Sequence, residues 1–323
     1  MQYELLGRTG LKVSQLCFGT MSFGGDANEE QSGEMFDACR DAGINFFDCA
    51  NVYSNGLAET ILGKLIKGIR DDLIVTSKCF GRMGEDQNSR GANRRNIIRS
   101  VEDSLQRLGT DRLDVLFMHQ WDSSVPLEET LRALESLVAD GKVVHLGASN
   151  YSAWQIAKGL GISTRNAWSR FDVIQPMYSL VKRQVEVEIL PLAREEGLGV
   201  ISYSPVGGGL LSGKYGISKR DDGGRLVTNQ MYASRYAGNE VLQIAGDFTE
   251  LAQELHIHPV SLAVAWAGYN PDITCPIIGA RSVGQLQPSL DAINVRMNDE
   301  LYGRISDLSP RPAPATDRSE DQV

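Results

Sequence analysis

Eight short apolar runs alternate with helical patterns along the chain, and this alternation restricts the possible fold more than any other feature. Runs of this length are typical of strands that are buried on both faces of a sheet. Eight strands that alternate with helices predict an α/β protein with a (β/α)8 TIM barrel, and 323 residues suit that fold. The runs occupy residues 16–19, 44–47, 73–77, 113–118, 143–148, 171–175, 199–203 and 273–278.

The helical patterns carry their own boundary signals. Three of them stop at Gly68, Gly109 and Gly141, and glycine is favoured just past the end of a helix. Pro191 lies inside a helical pattern at 184–196, where its ring and its missing N–H are expected to kink or split the helix.

Segments outside this alternation are predicted at both ends of the chain and after the seventh strand. Residues 3–13 are predicted to form an N-terminal β-hairpin before the first barrel strand, and 206–236 a long loop after strand seven. Residues 1–309 are expected to form a single barrel domain. Residues 310–323 are rich first in proline and then in charge, so this C-terminal tail is expected to be disordered.

The composition argues against several classes of protein. The net charge of -9 and a pI near 5.1 disfavour a nucleic-acid-binding surface, which needs a basic face. No apolar run approaches the length of a transmembrane helix, and the N-terminus lacks the pattern of a signal peptide. Five scattered cysteines without a CxxC motif predict reduced thiols in a cytoplasmic protein. His256 and His258 precede a proline and a helical pattern, which indicates a helix start rather than a metal site.

Polar or aromatic residues follow seven consecutive apolar runs. In a TIM barrel the carboxyl ends of the strands meet at one mouth, where the chemistry takes place. We therefore predict one functional site that is built from several strand ends. Its residues are Asp48, Lys78, His119, Ser149, Asn150, Gln175, the segment from Tyr203 through Ser204 to Pro205, and the segment from Gly279 to Arg281.

Three of these residues acquire a shared chemical role when Tyr53, from the loop after Asp48, is added. A lysine beside a phenol stabilises the phenolate, so Lys78 is expected to lower the pKa of Tyr53 from its usual value of about 10. Asp48 would keep Lys78 charged, and His119 can donate a hydrogen bond to a substrate oxygen. Together they predict that Tyr53 is a general acid for a carbonyl oxygen. Taken singly, Asp48 and Lys78 could be a structural ion pair, Tyr53 a loop-packing residue and His119 a core histidine.

Eight sequence stretches occur in a fixed order along nearly the whole chain. They read "GRTGLKVSQLCFGTMSFGG", "GINFFDCANVYSNGLAETILG", "VTSK", "MHQWD", "LGASNY", "QPMYSL", "SYSPVGGGLLSGKY" and "PIIGARS". Together they resemble the aldo-keto reductase family. The resemblance implies a catalytic tetrad of Asp48, Tyr53, Lys78 and His119. It also implies NADPH as the cofactor, extended across the barrel mouth without a divalent metal.

The resemblance assigns cofactor contacts as well. Ser149, Asn150 and Gln175 would hold the nicotinamide carboxamide, and Tyr203 would stack on the ring. The glycine-rich run after strand seven would let the backbone approach the pyrophosphate. Arg281 suits a 2′-phosphate and favours NADP over NAD, although NAD(H) stays an alternative. The full cofactor set is Thr20, Met21, Asp48, Ser149, Asn150, Gln175, Tyr203, Ser204, Pro205, Val206, Gly207, Lys214, Arg225, Gly279, Arg281 and Gln285.

Two stretches differ from the patterns they approach. The run "GGLLSGK" nearly matches a phosphate-binding P-loop, but Tyr215 stands where that motif needs a serine or threonine for magnesium. Pro288 and Ser289 stand where the family usually has an acid or amide followed by asparagine, residues that help to bind adenine.

The leading hypothesis is an oxidoreductase that transfers hydride between NADP(H) and an aldehyde, a ketone or the corresponding alcohol. One alternative is a sugar or alcohol dehydrogenase that uses NAD(P)+, and another is a regulatory subunit that binds NADPH and turns over slowly. Phe23, Phe80, Trp121 and Tyr232 are interpreted as the lining of an apolar substrate pocket that Tyr53 and His119 also face, although each of the four could equally pack a loop. The sequence leaves the substrate, the direction of reaction and the oligomeric state open.

Overall fold

The computed structural model describes residues 1–217, 225–316 and 318. A two-stranded antiparallel hairpin comes first and consists of β1 (Tyr3–Leu5) and β2 (Lys12–Ser14). Eight parallel strands then close into a barrel, in chain order around the ring, with the last strand paired to the first. These are β3 (Cys17–Gly19), β4 (Phe46–Asp48), β5 (Ile74–Cys79), β6 (Leu113–Met118), β7 (Val143–Ser149), β8 (Phe171–Gln175), β9 (Gly199–Ser202) and β10 (Cys275–Ile278).

Helices surround the barrel, and the predicted (β/α)8 fold with its N-terminal hairpin is confirmed. Within the described residues, no helix combines the length and apolar character that are needed to cross a membrane. The helices are α1 (Glu29–Asp41), α2 (Leu57–Leu65), α3 (Arg94–Leu108), α4 (Leu127–Ala139), α5 (Ala153–Asn166), α6 (Ile189–Glu196), α7 (Arg225–Thr228), α8 (Gln230–Arg235), α9 (Asn239–Glu254), α10 (Pro259–Tyr269), α11 (Val283–Leu290) and α12 (Asp299–Ser306).

Two apolar layers hold the barrel together. The larger cluster fills the space between the strands and the helices, where the helices bury their apolar faces. A smaller cluster lies inside the barrel and includes Phe46 and Phe117 from the strands. Leu6 and Val13, from the hairpin region, belong to this inner cluster, so the hairpin packs against the barrel interior. Polar residues such as Asp48, Ser149 and Gln175 lie at the carboxyl ends of the strands, at the mouth of the barrel.

The boundary signals in the sequence correspond to observed helix ends. Gly109 follows α3 with φ +61°, in the left-handed region that glycine tolerates best. The pattern at 184–196 is split, as predicted, into a 3-10 turn at Gln184–Glu186 and helix α6. Pro191 is the third residue of α6, where its missing N–H costs no hydrogen bond of the helix.

The long segment after β9 is more structured than a simple loop. It contains a 3-10 turn at Gly207–Gly209 and the short helices α7 and α8. The turn needs left-handed backbone at all three glycines, with φ of +60°, +65° and +103°. Residues 218–224 within this segment lie outside the described part of the chain.

Candidate active site at the barrel mouth

A buried ion pair forms the base of the site. Lys78, near the end of β5, places Nζ 2.6 Å from Oδ2 of Asp48, the last residue of β4. The Lys78 side chain is wholly buried and that of Asp48 almost so. Nζ also donates to the carbonyl oxygen of Cys49 at 2.8 Å and to the hydroxyl oxygen of Tyr53 at 3.3 Å. Lys78 therefore connects the acid of one strand to the phenol of the following loop.

The second oxygen of Asp48 accepts hydrogen bonds from residues of β5 and β8. Thr76 donates its hydroxyl, and Gln175 its side-chain amide, to Oδ1 at 2.8 Å each. Both donors are buried. A buried carboxylate needs this degree of pairing because unpaired burial of a charge is costly. The orientation of Asp48, and through it the position of Lys78, is fixed from β4, β5 and β8.

Tyr53 is held in place by an unusual turn. The three residues that follow it, Ser54, Asn55 and Gly56, all have left-handed backbone, with φ of 47°, 52° and 90°. Asparagine and glycine tolerate this region better than most residues. The Ser54 hydroxyl donates to the carbonyl oxygen of Phe23 at 2.7 Å and attaches the turn to the loop after β3. The sequence "YSNG" thus reverses the chain sharply just after the phenol.

The acidity of Tyr53 differs from the expectation raised by the sequence. Burial raises the pKa of Tyr53 to about 12, and the nearby charge of Asp48 adds to this effect. Lys78 acts in the opposite direction, as predicted, but it does not outweigh burial. The expected lowering of the Tyr53 pKa is therefore wrong for the protein without ligands, and Tyr53 carries its proton throughout the neutral range.

His119 follows β6 and faces Tyr53, with the two rings edge-to-face at 6.1 Å between centroids. Burial, with a smaller contribution from the positive charge of Lys78, lowers the pKa of His119 from 6.5 to about 3. The imidazole is therefore neutral at physiological pH and can donate one N–H. For Lys78, burial opposes the charge, but Asp48 and Tyr53 together raise the pKa above its ordinary value. The site therefore combines a charged Lys78 with two neutral hydrogen-bond donors, Tyr53 and His119.

A second polar cluster adjoins the tetrad at the ends of β7, β8 and β9. Asn150 has left-handed backbone, with φ +59°, and its side-chain amide donates to the carbonyl oxygen of His119 at 2.9 Å and to the Ser149 hydroxyl at 3.1 Å. The Tyr203 hydroxyl donates to Oδ1 of Asn150 at 2.7 Å. Ser149 in turn donates to the backbone carbonyl of Gln175 at 3.0 Å. The residues predicted to hold a carboxamide therefore lie in one network.

These groups open into a cavity of about 1020 Å³. That volume is at the upper end of the range of roughly 300–1,000 Å³ that is usual for small-molecule and cofactor sites. The structure brings most of the predicted cofactor residues together in its lining, namely Met21, Asp48, Ser149, Asn150, Gln175, Tyr203, Ser204, Pro205, Val206, Lys214, Gly279, Arg281 and Gln285, and Tyr53 and His119 line it too.

Two predicted cofactor residues lie outside the lining, and the side chain of a third is not described. Thr20 is wholly buried and donates its hydroxyl to the backbone carbonyl of Asp48 at 3.1 Å, so its contribution is to the wall behind the cavity. Gly207 is buried next to the lining formed by the two glycines that follow it. Arg225 begins α7, and its side chain lies outside the described part of the structure.

The predicted substrate residues are only partly brought together. Phe23 has no exposed surface and packs its ring against Phe18 at 5.7 Å between centroids, so its assignment as a pocket residue is wrong. Phe80 and Trp121 pack against the core and do not belong to the cavity lining, with the Trp121 ring against Tyr151. Tyr232 does line the cavity. Aromatic residues in loops satisfy burial and ligand contact equally well, and the sequence alone does not separate the two.

Several lining residues were not identified from the sequence. Arg235 lies at the end of α8. His258 precedes α10 as its N-cap, and its Nδ1 accepts the Val260 N–H at 3.2 Å. The helix start predicted for His258 is confirmed. Pro288 and Ser289, on α11, also line the cavity. Arg235 was missed because the segment 206–236 was predicted to be a loop. The distance of Arg235 from the mouth depends on the short helix α8, which was not predicted.

The lining fits an extended dinucleotide in its chemistry. Amide and hydroxyl groups lie at the end near the tetrad, and Lys214, Arg235 and Arg281 supply cations for phosphates elsewhere in the lining. Gly208 leaves no room for a side chain, because an added Cβ would meet the Tyr232 ring at 2.6 Å. Among the described residues, no group of three or more potential metal ligands occurs.

Comparison with known proteins identifies the family of this chain. A family model described as "Aldo/keto reductase family" matches residues 15–310. The chain belongs to this family. It is an oxidoreductase of the aldo/keto reductase type, as the family resemblance in the sequence implied.

Three relatives illustrate the range of the family. The chain is 36% identical to an uncharacterized oxidoreductase, YrpG, of Bacillus subtilis, over 98% of both chains. It is 37% identical to a protein of Arabidopsis thaliana named as a probable voltage-gated potassium channel subunit beta, over 91% of this chain and 92% of that one. Identity to norsolorinic acid reductase of Aspergillus flavus is 31%, over 95% of this chain and 80% of the relative.

Proposed function

We propose that this aldo/keto reductase uses NADPH to reduce an aldehyde or ketone and that Tyr53 supplies the proton. The observation that carries the proposal is the hydrogen-bonded series from Asp48 through Lys78 to Tyr53, with His119 facing the same phenol. A structural ion pair would not need a phenol and a neutral imidazole on the mouth side. The bound cofactor would supply the hydride that attacks the carbonyl carbon.

The protein residues stabilise the charge that develops on the carbonyl oxygen. Tyr53 holds its proton on Oη throughout the neutral range and can donate it to this oxygen. The neutral imidazole of His119 donates a hydrogen bond to the same atom. Lys78 remains charged and stabilises the phenolate that Tyr53 leaves, and Asp48 keeps Lys78 aligned. Burial of Asp48 and Lys78, and partial burial of Tyr53 and His119, strengthen these interactions because charges interact more strongly away from water.

Tyr53→Phe tests the role of the phenol. The variant keeps the ring but removes the transferable proton, so kcat should fall by roughly 10²–10⁴. NADPH affinity, measured by titration of nucleotide fluorescence, should change little. Tyr269→Phe is the matched control, since Tyr269 is on α10 and does not belong to the cavity lining. Full turnover by Tyr53→Phe would show that another group supplies the proton.

The direction of reaction and the choice of cofactor are tested together. We propose NADP(H) because Arg281 lies in the cavity lining and suits a 2′-phosphate. The wild-type enzyme should oxidise NADPH faster than NADH when both are offered with small aldehydes and aromatic carbonyls. If it instead reduces NAD(P)+ with sugars or alcohols and leaves all carbonyls unchanged, the same site works as a dehydrogenase.

A regulatory role is the second candidate, and the Arabidopsis relative favours it through its name. Such a protein would bind NADPH tightly and turn over slowly. A stopped-flow experiment with preloaded NADPH and an aldehyde panel separates the two roles. Rapid multiple turnover supports an enzyme, whereas stable binding without turnover on any carbonyl supports a sensor.

We propose that the protein is cytoplasmic, on the basis of its cysteines. All five are free and buried, which is consistent with the reducing conditions of the cytoplasm. We further propose that residues 1–309 act as one unit, since one mouth collects residues from seven of the eight barrel strands or the loops that follow them.

A further inference from the structure

An ion pair joins the two sides of the cofactor cavity at the point where the barrel closes. Arg281 follows β10, and its Nε lies 3.0 Å from Oδ2 of Asp26, in the loop between β3 and α1. The two side chains are 37% and 50% exposed. Nearby, the Ser22 hydroxyl donates to the carbonyl oxygen of Ala280 at 2.6 Å. The loop after β3 is therefore fastened beside Arg281 by two separate contacts.

Arg281 is oriented from both directions. Its backbone N–H donates to Oε1 of Gln285 at 3.2 Å, while Asp26 accepts from its side chain. A guanidinium group has five N–H donors in a planar fork. The contact with Asp26 engages Nε, and the two terminal nitrogens supply further donors of the kind that phosphate oxygens accept. The same contact places a negative charge next to any anion that approaches Arg281.

We propose that Asp26 determines cofactor specificity, because its carboxylate opposes the binding of a 2′-phosphate at Arg281 and reduces the preference for NADPH over NADH. The inference rests on one part of the proposed function, namely that Arg281 binds the 2′-phosphate of NADPH. A phosphomonoester carries between one and two negative charges at neutral pH, so it is repelled by a carboxylate that shares its arginine. NADH lacks this group and experiences the Asp26 charge less.

Asp26→Asn isolates the charge from the geometry. Asparagine keeps an Oδ1 that can accept the Arg281 Nε–H, but it removes the negative charge. The dissociation constants of NADPH and NADH are measured without substrate, by titration of nucleotide fluorescence. The fragments 2′,5′-ADP and 5′-AMP are titrated by calorimetry in parallel. NADPH and 2′,5′-ADP should bind roughly two- to fivefold tighter to the variant, as is usual for exposed charge pairs, and this gain should shrink at high salt.

Two controls separate this effect from a general change in charge. Glu30→Gln removes one negative charge from the first turn of α1, where the side chain is exposed and the substitution does not touch Arg281. It should leave the ratio of NADPH to NADH affinity unchanged. In an Arg281→Met background, Asp26→Asn should change that ratio less, because the phosphate is no longer held beside the carboxylate.

Three outcomes would overturn the inference. If Asp26→Asn leaves the affinity ratio unchanged, the carboxylate does not act on the phosphate. If it weakens NADPH binding, Asp26 positions Arg281 for the phosphate rather than opposing it. If the wild-type protein binds neither nucleotide, both the inference and the proposed function fail. Wild-type binding of NADPH together with an unresponsive variant removes only the role of Asp26.

Discussion

Lys78→Met removes the positive charge from the centre of the site while nearly preserving the shape of the side chain. The structure shows what is lost, namely an ion pair with Asp48 at 2.6 Å and a hydrogen bond to the carbonyl oxygen of Cys49 at 2.8 Å. Since both charged groups are buried, the remaining carboxylate has almost no access to water. Breaking a buried pair by removing one partner typically costs about 3–5 kcal/mol of unfolding free energy.

The expected loss is at the lower end of that range. Thr76 and Gln175 still donate to the Asp48 carboxylate, at 2.8 Å each, and compensate part of its charge. We therefore expect Lys78→Met to lower the free energy of unfolding by about 3 kcal/mol, measured by urea denaturation at neutral pH. A second substitution, Asp48→Asn, removes the orphaned charge. Asp48→Asn alone leaves the Lys78 charge buried and should also cost about 3 kcal/mol. The double variant should be no less stable than Lys78→Met, which corresponds to a coupling energy of about 3 kcal/mol.

The cycle can refute this reasoning in two ways. A loss below about 1 kcal/mol for Lys78→Met would show that water or rearrangement solvates Asp48 in the variant, contrary to its burial in the structure. Effects that add to within about 0.5 kcal/mol would show that the two charges do not stabilise each other. Neither result depends on the substrate, so the test can precede any activity assay.

Three further predictions concern stability. Burial lowers the pKa of His119 to about 3, so the unfolded chain takes up a proton below pH 6.5 that the folded protein does not. This residue should reduce stability by up to about 1.4 kcal/mol per pH unit as the pH falls from 6.5 towards 3, and His119→Gln should remove that slope in urea titrations. Glu59→Gln removes the charge of a wholly buried carboxylate that pairs with Arg107, 24% exposed, at 2.7 Å, and it should cost about 1–3 kcal/mol. An unchanged thermal midpoint would contradict this. Gly147→Ala should cost about 1–3 kcal/mol, because the added Cβ lies 2.4 Å from the Phe117 ring, and an unchanged midpoint would show that the ring can move.

The fold, and the proximity of the four residues proposed as a tetrad, could be predicted because both depend on local patterns in the sequence. Each apolar run ends in the residue that the barrel then presents at its mouth, so Asp48 and Lys78 needed only the fold to be brought together. The pKa of Tyr53 depends on a balance between burial and charge, and burial is a property of packing that one residue type does not reveal. Phe23 shows the same limit, since its loop position suggested a ligand contact and the structure buries it.

Other features depend on contacts between residues far apart in the chain. Asp26 carries no motif, and its approach to Arg281 follows only from the pairing of β3 with β10. The sequence showed that Pro288 and Ser289 depart from the family pattern. The structure adds that both residues line the cavity. The glycine run resembles a P-loop in sequence, and its fold as a turn with positive φ at Gly207, Gly208 and Gly209 became visible only in the structure.

The pairing of β3 with β10 also has a consequence for how the molecule is made. Ser22 and Ala280, which touch beside this pairing, are 258 residues apart, so a ribosome must release nearly the entire barrel before its ring can be completed. Until then β3 and β9 present unpaired edges, which invite association with other chains. A nucleotide that contacts residues on both sides of the junction binds only the completed ring and stabilises it by mass action. Supply of the nucleotide during synthesis should therefore raise the yield of soluble protein.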